Sequence, residues 1–189
     1  MNEVLKNIYS RASVRKYKPD AVPEDDIKEI LRAGFHAANG MNRQAVEFIV
    51  MEKKDLIKKY NRKAINLFAE MTRAAGQQNP MVESMVNNPE ADIFYGAPAV
   101  VFVFTNQSAL TPVEDGSLAV GNMMLAAHSL GYGTCFIGFA SGLGNNPEFR
   151  KECNVPDGHK YIACMILGRP EGEVEKHSRS DVKILKWFK

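Results

Sequence analysis

The stretch APAVVFVFTN at residues 97–106 places the strongest constraint on how this chain folds. Its apolar residues follow one another without the polar alternation of a half-exposed strand, so the pattern predicts a strand that is buried on both faces. Other elements must then cover both sides of its sheet. The next segment, EDGSLAVGNMMLAAHSLGYG at 114–133, is small or apolar on most sides and predicts a central buried helix. Gly131 or Gly133 would provide its left-handed end.

The remaining periodicities predict an α+β fold with a central mixed or antiparallel sheet packed by helices. The segment 76–94, which contains Pro80 and Pro89, breaks the pattern and is interpreted as a mobile surface excursion that can hold a short helix. We find no linker or internal repeat, so residues 1–189 form a single domain. Further strands are predicted at 47–52, 134–138 and 159–168, and further helices at 2–10, 22–38, 54–76 and 146–154.

Composition excludes several classes of protein. A formal charge of +2 is too small to indicate nucleic acid as a partner, and no run approaches the roughly 20 apolar residues of a membrane span. The opening residues lack the apolar run of a signal peptide, so we expect a soluble, cytoplasmic protein. Three cysteines without CxxC spacing and four scattered histidines favour neither a disulfide framework nor a metal site.

The basic stretch RASVRKYKP at 11–19 is the first candidate for a binding site. If it is extended, Arg11, Ser13 and Arg15 share one side, because side chains alternate along a strand. Two guanidinium groups beside a hydroxyl suit a phosphate, since arginine binds oxyanions through a planar fork of donors. The alternative, a solvated basic turn, stays open at this point.

A second candidate is the loop that contains Asn39, Gly40, Asn42 and Gln44, between a predicted helix and the strand at 47–52. These amides could simply cap the helix and bond loose backbone groups. They also carry a donor and an acceptor together, which suits ribityl hydroxyls and the edge of a heteroaromatic ring. We find no metalloprotease, nucleophile-elbow, dinucleotide or P-loop motif. A protein without such groups either does no chemistry or lets a cofactor carry it.

Two residues near these motifs have ordinary structural interpretations. His128, on the predicted central helix, is interpreted as a packed core or interface histidine. Cys135, in the following strand, is interpreted as a small buried hydrophobic residue.

The segment RASVRKYKPDAVPEDDIKEILRAGFHAANGMNRQAVEFIV at 11–50 resembles the opening of the FMN-dependent nitroreductase family. The stretches YGAPAVVFVF, LAVGNMMLAAHSLGYGTCFIGF and VPDGHKYIACMILGRP resemble its middle strand, its central helix with the following strand, and its last strand. Each motif is modestly specific, but their order and spacing make the resemblance strong. It implies a nitroreductase-like fold and a homodimer with FMN at the subunit interface, in which residues 170–189 wrap around the partner.

The resemblance also implies roles for individual residues. Arg11, Ser13 and Arg15 would contact the flavin, with Arg11 at the phosphate and Arg15 nearer the ribityl chain or the pyrimidine edge. Ile137 and Gly138 would offer backbone amides to the reactive flavin nitrogen. The amide loop would contribute Asn39, Asn42 and Gln44, and the KHSR segment would complete the phosphate site with Lys176 and Arg179.

Two departures from the family pattern affect these expectations. Ala45 and Val46 replace the proline and tryptophan of the family's QPW motif, which predicts a looser loop and a roomier cleft. The segment 77–92, interpreted as a lid, carries no counterpart of the asparagine and lysine that reach the ring in several members.

The expected activity is hydride transfer from NADH or NADPH, through FMN and by a ping-pong mechanism, to a nitroaromatic, a quinone or a similar flat acceptor. The alternatives are a non-catalytic flavin-binding or storage protein, and a relative specialised for dehalogenation or flavin reduction. A nucleic-acid-binding module would need a wider basic face with exposed aromatic residues, and only Tyr17 accompanies the basic stretch.

Overall fold

A computed structural model describes residues 1–77, 79–175 and 178–189, and its centre is a four-stranded sheet. The strands lie in the order β1-β2-β4-β3, and each neighbouring pair is antiparallel. Every residue of β2 is buried, which confirms the prediction from its continuous apolar sequence. The strands are β1 (Val46–Met51), β2 (Ala99–Thr105), β3 (Gly133–Phe136) and β4 (Lys160–Gly168).

Helices cover both faces of this sheet, as the two-sided burial of β2 requires. Val101 and Val103 of β2 belong to a core cluster with residues of α2 and α5 on one face. Phe102 and Phe104 belong to a second cluster with residues of α3, α4 and α6 on the other. The helices are α1 (Glu3–Ser10), α2 (Glu24–Phe35), α3 (Lys54–Ala74), α4 (Pro80–Asn87), α5 (Pro112–Ser129) and α6 (Pro147–Glu152), with 3-10 helices at Gly40–Asn42 and Gly138–Asn145.

The prediction that α5 is a central buried helix holds for only one side of the helix in the single chain. One side of α5 packs on the sheet and α2, with Ala119 and Met123 fully buried, whereas the side chain of Leu118 is 51% exposed. The apolar face of α1 is exposed too, with Val4 at 67%. Helix α1 contacts α5 through Asn7 and Ser10, but apolar side chains of both helices remain uncovered in the single chain.

Residues 170–189 form no helix or strand in their described part. The segment begins beside the basic stretch, where Tyr17 and Pro170 form an isolated antiparallel bridge. Its last residues, including Leu185 and Phe188, lie exposed. In the described ranges, no helix combines the length and apolar character needed to cross a bilayer.

A polar network joins α3 to α6 on the surface. Lys59 pairs with Glu148 and Glu152, Lys63 pairs with Glu148, and the Tyr60 hydroxyl donates to Glu152 at 2.6 Å. The hydrogen bond from Lys63 is the main cause of a lowered pKa at Glu148, and that from Lys59 of a lowered pKa at Glu152. Both carboxylates therefore stabilise the folded state above the ordinary glutamate pKa of 4.5, and this contribution is lost as the pH falls through their lowered values.

We expect the free energy of unfolding to fall below about pH 4.5, and to fall less in Glu152→Gln, because the neutral amide has no proton to gain there. Urea unfolding between pH 3 and pH 7 measures this slope. Glu52→Gln, at an exposed position outside the network, serves as the control and should keep the wild-type slope. Equal slopes for Glu152→Gln and the wild type would contradict the assignment.

Candidate functional site

The basic stretch is extended beside β3, as its alternation predicts. Ser13 forms an isolated parallel bridge with Thr134, and the Val14 N–H donates to the Thr134 carbonyl at 3.0 Å. Val14 lies so close to Gly133 that a Cβ there would come within 2.5 Å of its side chain. The alternation ends at Tyr17, which is buried and donates its hydroxyl to the Val14 carbonyl at 2.7 Å. Burial raises the pKa of the Tyr17 phenol, so this donor stays protonated.

The first cavity lies between the end of α1 and the second half of α5 and measures about 790 Å³. Arg11 and Ser13 line it together with Arg179, which is 168 positions from Arg11 in the chain. The Nη1 atom of Arg11 is buried and has no hydrogen-bond partner among the described residues. A buried charged donor without a partner costs free energy that a bound anion would recover. Lys176, the other basic residue expected here, lies outside the described residues.

The second cavity measures about 300 Å³ and brings together Arg15, Ile137 and Gly138. Its wall is otherwise mainly aromatic, with Phe68, Tyr95, Phe136 and Phe139. Neither Phe68 nor Tyr95 was predicted at this site from the sequence. The helical spacing of Phe68 indicates only which face of α3 it lies on, and no sequence feature indicates Tyr95. The expectation of two free backbone amides needs a correction, because the Ile137 N–H donates to the Cys164 carbonyl at 2.8 Å. That hydrogen bond continues the β3–β4 pairing by one residue and leaves Gly138 as the backbone donor to consider.

The amide loop, residues 39–44, is not brought to either cavity within one chain. It is joined to the first turn of α5, where the Gly40 N–H donates to Asp115 at 2.9 Å. The first cavity is lined by α5 residues from Gly121 onward, six positions further along, which is about 9 Å along the helix axis. Asn42 and Gln44 are exposed.

The side chain of Asn39 does what the capping alternative describes. Its oxygen accepts from the Gln44 N–H at 2.9 Å, and its nitrogen donates to the Ala37 carbonyl at 3.2 Å. Asn39 therefore shapes the loop, whereas Asn42 and Gln44 present their amides to solvent.

His128 and Cys135 fit their structural interpretations. His128 is partly buried and bonds to the hydroxyl of Ser10 at 2.8 Å. Cys135 is 3% exposed and forms part of the wall of the second cavity. Among the described residues, no three His, Cys, Asp or Glu side chains are grouped so that they could hold a metal ion.

Comparison with known proteins shows which family this chain belongs to. The model of the nitroreductase family matches residues 8–169. The chain belongs to the nitroreductase family. The resemblance inferred from the motifs is thereby confirmed, and the matched region contains the basic stretch, the amide loop and all four strands.

Relatives in this family carry out different reactions. The chain is 26% identical over 178 residues to an iodotyrosine deiodinase of Thermotoga neapolitana, covering 91% of each chain. It is 26% identical over 188 residues to an FMN reductase [NAD(P)H] of Bacillus subtilis, covering 95% of this chain and 70% of the relative. The crystal structure of a nitroreductase with bound FMN from Bacteroides fragilis superposes with a TM-score of 0.84 at 27% identity, over 98% of this chain and 100% of that one. These matches confirm the predicted α+β nitroreductase fold.

Proposed function

We propose that this nitroreductase-family chain binds FMN and uses NADH or NADPH to reduce a flat conjugated acceptor such as a nitroaromatic or a quinone, in two half-reactions at one site. The observation that carries the proposal is the buried, unpartnered Nη1 of Arg11 in a cavity shared with Ser13 and Arg179. A phosphate there would meet two guanidinium groups and a hydroxyl. The FMN bound in the nitroreductase of Bacteroides fragilis supports the choice of ligand.

In this proposal FMN would extend from a phosphate end at the first cavity to a ring end at the second. Arg11, Ser13 and Arg179, with Lys176, would hold the phosphate, and Arg15 would lie at the ribityl chain or the ring beside Gly138. FMN, when bound, supplies the hydride chemistry, and the chain supplies position and charge. The cation of Arg15 and the N–H of Gly138 would stabilise negative charge at the ring edge. Ile137 would line the cavity without donating.

A second copy of the chain would complete this site. The amide loop contacts α5 about 9 Å along the helix from the first cavity and lines neither cavity in one chain, so we propose that Asn39, Asn42 and Gln44 reach FMN from the partner subunit. The exposed apolar faces of α1 and α5, including Val4 and Leu118, would form the two-fold interface. Residues 170–189, with Leu185 and Phe188 exposed, would then pack on the partner.

An anaerobic absorbance spectrum of the purified protein with FMN tests the proposal. We expect the flavin bands to bleach on addition of NADH or NADPH and to return when a quinone or a nitroaromatic is added. A bound flavin that neither nicotinamide reduces would favour a flavin carrier. Failure to bind FMN, or a monomer mass in sedimentation, would contradict the proposed site.

Reductive dehalogenation is a second candidate because of one relative, the iodotyrosine deiodinase of Thermotoga neapolitana. Free flavin is another acceptor to consider, since a second relative is an FMN reductase. Adding an iodophenol or free FMN to the reduced protein distinguishes these outcomes. Release of iodide, or reduction of added FMN faster than of a quinone, would replace the nitroaromatic or quinone as the preferred acceptor.

A further inference from the structure

The backbone of the amide loop is held in a conformation that its residues do not favour. Met41, Asn42 and Gln44 have φ angles of 52°, 51° and 52°, in the left-handed region. Side chains with a Cβ reach this region at a cost, which asparagine tolerates better than methionine or glutamine. Such strain persists only where neighbouring groups hold the backbone in place, and it is common at binding sites. The loop therefore needs an external restraint.

Asp115 provides that restraint from 75 positions away in the chain. Its Oδ1 accepts from the Gly40 N–H at 2.9 Å and from the Thr111 hydroxyl at 2.8 Å. The contact is close, because a Cβ on Gly40 would lie 2.9 Å from the Thr111 hydroxyl oxygen. The loop is thus fixed at its start to the first turn of α5, whereas Asn39 fixes its end at Gln44.

The burial of Asp115 indicates that its carboxylate serves the amide loop and not only helix α5. The residue is 2% exposed, and its Oδ2 is buried without a hydrogen-bond partner among the described residues. The N-terminal end of α5 favours a negative charge in its first turn, but the exposed Glu114 already supplies one there. Helix stability alone therefore does not account for a second, buried carboxylate with one unpaired oxygen.

We propose that Asp115 is a positioning residue that holds the amide loop in the strained conformation needed to present Asn42 and Gln44 to FMN. This inference rests on the proposed function for the identity of the ligand. The restraint on the loop is independent of the proposed function, because the hydrogen bonds of Asp115 with Gly40 and Thr111 are present in the chain alone.

Hydrogen exchange and flavin titration of Asp115→Ala test the two halves of this inference. In FMN-free protein we expect the backbone amides of residues 40–44 to exchange at least about tenfold faster, because the Gly40 N–H loses its acceptor. We expect the Kd for FMN to rise about 5- to 30-fold, and the Kd for riboflavin to rise by a similar factor, since the loop would contact the ribityl chain and ring. Asp115→Asn keeps the acceptor oxygen, so it should retain most of the slow exchange at residues 40–44 and most of the flavin affinity.

Asn122→Ala is the matched control on α5, because this exposed side chain donates to the Ala33 carbonyl and not to the loop. It should change neither exchange at 40–44 nor flavin affinity.

If Asp115→Ala does not fold, a second variant tests the restraint. Thr111→Val removes a donor to Asp115 without changing the charge, and it should accelerate the same exchange. Unchanged exchange in Thr111→Val or Asp115→Ala would overturn the inference, as would unchanged flavin affinity in Asp115→Ala. Failure of the wild type to bind FMN would overturn the proposed function. Hydrogen exchange would then test by itself whether Asp115 restrains the loop.

Discussion

Arg11→Ala should raise the Kd for FMN about 10- to 100-fold while leaving the Kd for riboflavin unchanged. Hydrogen bonds to charged groups contribute roughly 1.5–3 kcal/mol each, and about 1.4 kcal/mol corresponds to a factor of ten. Riboflavin lacks the phosphate that Arg11 would hold, so its affinity does not depend on this side chain. Titration of each flavin, followed by calorimetry at fixed ionic strength, measures both constants.

In the flavin-free protein, Arg11→Ala should not lower thermal stability. The buried Nη1 of Arg11 lacks a partner, so its removal should leave the melting temperature of the flavin-free variant equal to or above that of the wild type. Lys18→Ala, in the same basic stretch but exposed and outside both cavities, should bind FMN like the wild type. An equal loss of affinity for FMN and riboflavin in Arg11→Ala would place Arg11 away from the phosphate.

The long elements of this fold were predictable because each one repeats a simple pattern. Helix α3 follows helical spacing over its whole length, and β2 is apolar throughout. Burial was harder to predict for the apolar faces that the single chain leaves exposed. The apolar face of α1 has the spacing of a core helix, yet none of its residues is buried in the single chain. The pattern predicts that a face will be covered, but it does not say by which molecule.

The residues of the candidate site were also only partly predictable from the sequence. The residue types and spacing of Arg11, Ser13 and Arg15 indicate an anion site, and the structure places Arg11 and Ser13 on one cavity and Arg15 on another. Asp115 was missed, because an acidic residue in the first turn of a helix has an ordinary explanation in the helix dipole. Its contact with Gly40 arises only when α5 packs beside α2, and no local sequence signal marks it.

Phe149→Ala should lower the free energy of unfolding by about 3–5 kcal/mol, the largest stability change that we expect from a single truncation. Phe149 is fully buried, and its ring centroid lies 4.9 Å from that of Tyr60 and 4.8 Å from that of Phe102. Truncation removes both aromatic contacts and leaves a cavity between α6, α3 and the sheet. Helix α6 has only six residues and cannot persist without this anchor.

Urea unfolding at one protein concentration measures this loss, since the stability of the proposed dimer would depend on concentration. Met81→Ala removes a side chain that is 52% exposed on α4 and should change the free energy of unfolding by less than about 0.5 kcal/mol. Phe149 lines neither flavin cavity, so the folded fraction of Phe149→Ala should bind FMN with wild-type affinity. A stable variant that loses FMN would instead show that α6 and the second core cluster determine the shape of the binding site.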